Sequence, residues 1–399
     1  VATHAADKTI GGHYASLDLG LPFYGYVAGG AEDDHEGTRM EDAIARVRQG
    51  MKAMLRYGSG WLDVESQVGA ILEKGLDSRR FILCTDDSHA ETLTEDGHMD
   101  RVLRHAISAG LPPMTAIQMM TINTAEHFRI DREMGMIAPG RWADVLLVDD
   151  LNDFKAEMVI AKGQVIAENL AWQIELPEIS YPDWARDSIH LGHKLGAQDF
   201  ALLTEASENT SVTANVIGVI ENQAPTKHLK MQVQSQDGQI HVDMENDLAK
   251  LALVERHKGT GSVTVGLVSG FGFTEKCGIA SSVAHDSHHM IVTGTSETDM
   301  ALAANKLAEV GGGQCVVKDG EVIGLVELEI AGLMSTERAE VVAEKAGTIL
   351  KGFEACGCTL KNPNMQLSLL GLVVIPELRI SDLGLVDVTK FEFVPVLEE

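Results

Sequence analysis

Positive charge is scarce in this sequence. Its 32 lysines and arginines face 59 acids, for a formal net charge of −27. Phosphate backbones and anionic membranes would be repelled rather than gathered, so no nucleic acid partner is expected. Long apolar runs are missing too. No stretch approaches the roughly 20 uncharged residues of a membrane span, and no basic-plus-apolar signal segment opens the chain. No membrane partner is expected, and a cytoplasmic location is. Cysteine is sparse: five residues, odd in number and without CxxC spacing, suit a reducing compartment and argue against a thiolate zinc site. No low-complexity segment and no repeat of solenoid period interrupts the chain. What remains is 399 residues, 45% of them hydrophobic, enough for two or three domains with a sizeable core. The first residue is Val rather than Met, which makes a processed or partial chain an expectation.

From residue 1 to about 130, short apolar runs alternate with amphipathic stretches, the pattern of repeated βα units and a parallel sheet. Thr9 to Gly12 reads as a strand ending at His13. Pro22 to Ala31 reads as a helical link to a second strand end carrying His35 and Glu36. "RMEDAIARVRQG" has helical spacing, and "MKAMLRYGSG" reads as a third strand and turn. Residues 61 to 76 predict one helix, and Phe81 to Cys84 a fourth strand. "HMDRVLRHAISAG" and "PMTAIQMMTINTAEHF" predict two helices, with Gly110 closing the first and Pro112 and Pro113 opening the next. Residues 135 to 168 change to short strands, Asp144 to Val148 and Glu157 to Ala161, with a Lys162-Gly163 turn into a third. Beyond residue 200 an α+β pattern follows. It has hairpin turns at Asp237-Gly238 and Asp319-Gly320 and a helix from Glu297 to Val310.

Polar chemistry falls where strands run out. In a βα barrel the C-terminal strand ends are where catalytic groups converge. His13, His35 and Asp86 project from three such ends, and imidazole with carboxylate suits Zn, Fe or Mn and a hydrolytic site. Other roles are open on the residues alone. Histidines in Gly-rich loops are often only polar loop residues, and Asp after a strand commonly caps the next helix. Glu36 can form a surface salt bridge.

The stretches "GGHYAS", "DDHEGT", "LRYGSG", "LCTDDSHAETLTEDGHMDRVLRHAI", "GMIAPGRWADVLLVDDLNDF", "LALVERHKGTG", "SSVAHDSHHMIVTGT", "EIAGLMS" and "LGLVDVTKFEFV" carry a resemblance. In this order, over nearly all 399 residues, they resemble the later two-thirds of bacterial adenine deaminases, members of the amidohydrolase superfamily. The resemblance implies an α/β plus α+β chain: the C-terminal half of a metal-dependent (β/α)8 barrel (strands 5 to 8, residues 1–134), a small β domain (135–172) and an α+β adenine deaminase C-terminal domain (173–399). It implies His13, His35 and Asp86 as metal ligands. Asp86 also becomes the proton-transfer residue and Asp87 a substrate contact, an assignment that could be reversed. Glu36 becomes a candidate for binding or protonating a purine ring nitrogen. The implied reaction is hydrolytic deamination of adenine to hypoxanthine and ammonia by a metal-activated water. The implied cofactor is manganese or iron, with zinc a further option, as two ions in the complete enzyme. A homo-oligomer, dimer or higher, is expected. The alternatives are a deaminase of another purine and a non-catalytic protein derived from the enzyme.

The family's His-x-His pair and bridging glutamate are missing from this chain, which is therefore expected to be an incomplete copy that binds metal weakly and deaminates little by itself. Tyr57 stands where the resemblance implies an acid, and His289 where it implies Asn. His285, Asp286, His288 and His289 invite a second metal site, although the resemblance favours a structural or pocket-lining loop. Met114, Met119 and Met120 read as core filler, and Cys84 as a strand residue rather than a nucleophile.

Overall fold

Two mainly apolar strands and a short acidic one build the first sheet. In this computed structural model, which describes residues 2–221 and 223–398 and only the backbone of His4, strands Asp33–Asp34, Lys52–Arg56 and Phe81–Cys84 form a parallel sheet in that order. Ala53 pairs with Phe81 and Arg56 with Cys84, so the chain leaves every strand at the same edge. Ala53, Leu55, Phe81 and Leu83 turn to one face and pack against Ala43, Val102, Leu103, Ala106, Ala116 and Met119. These come from helices Met40–Arg48, Met99–Ser108 and Pro113–Met120.

Several expectations need correction. Thr9 to Gly12 joins no ladder; Ile10 alone bonds the sheet's approach, its carbonyl accepting the Glu32 N–H at 2.8 Å and its N–H donating to Glu32 Oε1 at 3.3 Å. Residues 61 to 76 form two short helices, Val64–Gln67 and Gly69–Leu72. The stretch from Pro113 divides at Thr121, whose backbone leaves the helical region and whose hydroxyl bonds the Ile117 carbonyl, giving Pro113–Met120 and Ile122–His127. Met119 is buried and Met120 half-buried, but Met114 is exposed. A four-stranded antiparallel sheet follows: Val145–Val148, Ala156–Ala161, Gln164–Glu168 and Ala171–Trp172. These elements lie in one compact unit, Val1–Glu178, and the second unit is Ile179–Glu399.

The second unit is built on an eleven-stranded mixed sheet. Its strand Ala249–Val254 is buried throughout because both faces are covered. Leu251 and Leu253 join the cluster around Ile349 and Phe353 of helix Ala339–Ala355. Ala252 and Val254 join the one around Met300, Ala304 and Leu307 of helix Glu297–Val310. The strand alternation of period two explains the split. Both predicted hairpin turns have Asp and Gly at positive φ, as tight two-residue turns require. Arg379, fully buried, spends its donors on the carbonyls of Ile375, Leu369 and Ala224, and burial pulls it down to about 9.

Glu255 organises a turn in this unit. Its carboxylate accepts the N–H groups of His257, Lys258 and Thr260 at 2.6, 2.8 and 3.0 Å. Burial pushes this acid up, but the hydrogen bonds outweigh it and carry it from 4.5 to about 2. A folded value below the unfolded one adds stability above about pH 4.5, which is lost as pH falls toward 2. In thermal melts, Glu255→Gln is expected to lower the Tm at pH 7. The gap to the parent should close between pH 4.5 and 2.

Candidate metal centre

Two glycines bring the first imidazole into place. A Cβ on Gly12 would strike the Tyr26 hydroxyl, and one on Gly11 would lie 3.2 Å from Asp33 Oδ1, so the two glycines ease the close approach of this segment to Tyr26 and Asp33. His13 follows, then Tyr14, whose N–H is taken by Asp34. His35 and Glu36 follow Asp34 directly at the strand end.

His13 Nδ1 lies 3.0 Å from Glu36 Oε1, and His35 Nε2 lies 3.5 Å from the same oxygen. The two rings meet edge to face with centroids 4.5 Å apart. One atom from each of His13, His35 and Glu36 falls within 4.8 Å of the others, the one such trio among the described residues. The Glu36 hydrogen bond raises His13 above its ordinary 6.5 against the effect of burial. Glu36 itself is pushed up by burial, but His13, Arg56 and His35 together carry it down to about 2. At neutral pH it is a carboxylate and an acceptor.

Asp86 is not in that trio. It sits beside it, on Arg56. The Nη1 of this buried arginine donates to Glu36 Oε2 at 3.1 Å and to Asp86 Oδ2 at 2.9 Å, while Nε and Nη2 hold Asp63 Oδ2 at 2.9 and 2.8 Å. Trp61 lies across the guanidinium, 4.9 Å from ring centroid to Cζ. Asp86, expected as the third ligand, is tied to Glu36 through this shared guanidinium. Glu36, expected at the substrate, occupies the position among the imidazoles.

The Asp86 turn is fastened by its neighbours. Asp86 has a φ of 61°, in the left-handed region. Ser59 N–H bonds the Asp87 carbonyl at 2.9 Å, and the Ser59 hydroxyl accepts the His89 N–H at 2.8 Å. Gly58 lies so close to the Thr85 and Asp87 carbonyls that a Cβ would collide with both. Tyr57 points elsewhere: its ring is stacked 3.7 Å from His105 and lies under Arg101, whose Nη1 ties the carbonyls of Tyr57 and Gly58. Cys84 donates weakly to the Leu55 carbonyl, and burial pushes its thiol up to about 12, which suits no nucleophile.

The histidine-rich stretch does not assemble as a metal site. His289 pairs with Asp382 at 3.7 Å and lies near His257, while His288 accepts the Ala284 N–H and its carbonyl takes Arg256 Nε. These bonds make it a braced loop. No trio of ligand atoms forms there among the described residues. Sequence reasoning missed Arg56, Asp34 and Arg46. The available signal was an arginine closing an apolar strand, which must find acids when buried.

The comparisons with known proteins fall on both units. The adenine deaminase C-terminal domain family matches residues 223–392 and the amidohydrolase family residues 37–166. An adenine deaminase of Ruegeria pomeroyi is 58% identical over 398 residues, 100% of this chain and 66% of that protein. One from Mesorhizobium japonicum is 59% identical over 391 residues, covering 98% of this chain and 64% of that protein. One from Moorella thermoacetica is 44% identical over 397 residues, 99% and 66% of the two chains. The chain spans about two thirds of the length of the curated relatives it matches.

Proposed function

The chain is homologous along its whole length to bacterial adenine deaminases, with an amidohydrolase segment followed by their C-terminal domain, and on that premise we propose that the protein, at its relatives' full length, hydrolyses adenine to hypoxanthine and ammonia. The observation that carries this reading is the gathering of His13, His35 and Glu36 at one sheet edge, with Asp86 held beside them by the same arginine.

Two imidazole nitrogens and a carboxylate oxygen fit a divalent manganese, iron or zinc ion. When bound, such an ion supplies a concentrated positive charge that eases deprotonation of water. His13, His35 and Glu36 would hold it, with Asp86 the further ligand that the resemblance implies, and a second ion belongs to the full-length protein. In the reaction, water oxygen bonds to C6 and the bond from C6 to the exocyclic amine breaks. Asp86 takes the proton that the water gives up and returns it to the amine, which leaves as ammonia. Glu36, a carboxylate at working pH, acts as a holder and acceptor rather than as a proton donor. Asp87 is left to contact the purine.

No helix among the described residues is long and apolar enough to cross a membrane. The five free thiols support a reducing, cytoplasmic setting. The half-exposed Leu146 and Leu147 of the small sheet support a homo-oligomer. The domain boundaries proposed are 1–134, 135–172 and 173–399.

The test is ammonia release from adenine, guanine and cytosine with manganese present, by the protein completed to its relatives' length. Adenine alone is expected to react, with an ultraviolet shift to hypoxanthine. Comparable turnover of guanine would replace the substrate, and silence on all three bases would leave a non-catalytic protein.

A further inference from the structure

We propose that Asp34 is a positioning residue for the metal-binding side chains: its buried carboxylate sets the spacing of His13 and Glu36 by holding the backbone of both segments at once. The inference rests on the metal reading above and adds a residue to it that touches no ligating atom.

Asp34 is fully buried at the end of the first strand. Its Oδ2 accepts the N–H of Tyr14, the residue after His13, at 2.5 Å, and its Oδ1 accepts the N–H of Glu36 at 2.9 Å. Two segments more than twenty positions apart are therefore tied to one rigid group. Arg46 braces that group from helix Met40–Arg48, with Nε at 2.7 Å and Nη2 at 2.6 Å from Oδ1. The same Nη2 donates to the Tyr14 carbonyl at 3.0 Å. The Tyr14 residue is thus gripped at both its N–H and its carbonyl. Tyr26 adds its hydroxyl to Oδ2 at 3.3 Å.

Every neighbour of this carboxylate is a donor. Tyr14 N–H and Tyr26 O–H face one oxygen, and Glu36 N–H and the guanidinium face the other. An asparagine must turn its NH2 toward donors on one side or the other, and so releases either the His13 segment or the Glu36 segment. Outer groups that orient ligands typically matter 10- to 100-fold in metal affinity.

The experiment uses the 399-residue chain with two readouts. The first is the ring nitrogen spectrum of 15N-histidine-labelled, metal-free protein, in which the His13 Nδ1 signal reports its bond to Glu36. The second is zinc affinity by competition with a chelating dye. Asp34→Asn is expected to shift the His13 signal and to weaken zinc roughly 10- to 100-fold. Asp33→Asn breaks the neighbouring buried pair with His127, 2.6 Å apart, and is expected to cost stability while leaving zinc affinity within about threefold of the parent. Should Asp34→Asn fail to fold, Arg46→Lys is the second variant. It keeps a positive charge beside Asp34 but cannot also grip the Tyr14 carbonyl, and a severalfold weakening with the same His13 shift is expected. Parent protein that takes up no zinc moves the affinity comparison to the protein completed to its relatives' length, and the histidine spectrum of this chain decides the positioning role by itself. A folded Asp34→Asn or Arg46→Lys protein with the parent's His13 signal and affinity overturns the inference.

Discussion

Replacing Asp86 by asparagine is expected to lower kcat for adenine roughly 10²- to 10⁴-fold in the full-length protein, with KM little changed. The reason is chemical. An amide cannot take the proton of the attacking water, while the rest of the site is undisturbed. Asparagine is the informative replacement because Asp86 sits at a φ of 61°, where asparagine is tolerated and most side chains are strained. It also keeps an oxygen for Arg56 Nη1, so the guanidinium retains its partner. Asp87→Asn is expected to raise KM instead. An ammonia-coupled assay of both variants decides between them: loss of kcat in the Asp87 variant with near-parental turnover in the Asp86 variant reverses the two roles.

The second large effect is on stability. Arg56→Met is expected to destabilise the first unit by about 3–5 kcal/mol, because it strips the shared cation from two largely buried carboxylates, Glu36 and Asp63, and from the more exposed Asp86. Methionine replaces the volume but none of the donors, and Trp61 loses the charge it covers. Lysine should recover only part of the loss, since one ammonium cannot span Asp63 on one side and Glu36 with Asp86 on the other. Denaturant unfolding measures it. The deficit should also shrink toward about pH 4, where some of the unpaired acids take up protons. A methionine variant within about 1 kcal/mol of the parent would show that the acids do not depend on this cation.

What could be read from sequence follows from where the deciding forces lie. Phe81–Cys84 and Glu297–Val310 match their predicted bounds because the local pattern carries the instruction: a compact apolar run in one case, a Ser296 cap and Gly311 stop in the other. Thr9 to Gly12 misled because its glycines answer to close packing against Asp33 and Tyr26, not to a ladder. The site was half legible. His13 and His35 do converge, and Glu36 lies within reach of both imidazoles, which local spacing did not reveal. Glu36 and Asp86 are joined by Arg56, whose partners come from positions 36, 63 and 86, a long-range choice invisible to local spacing.

Gly58, wedged against the Thr85 and Asp87 carbonyls, bears on how this edge could be re-engineered. Surface loops are usually exchanged one at a time, as independent modules. Here the two crossovers are interlocked, so a graft that alters residues 57–61 must carry 85–89 with it. Directed libraries that randomise either segment alone would be expected to yield mostly misfolded clones, whereas paired cassettes would not.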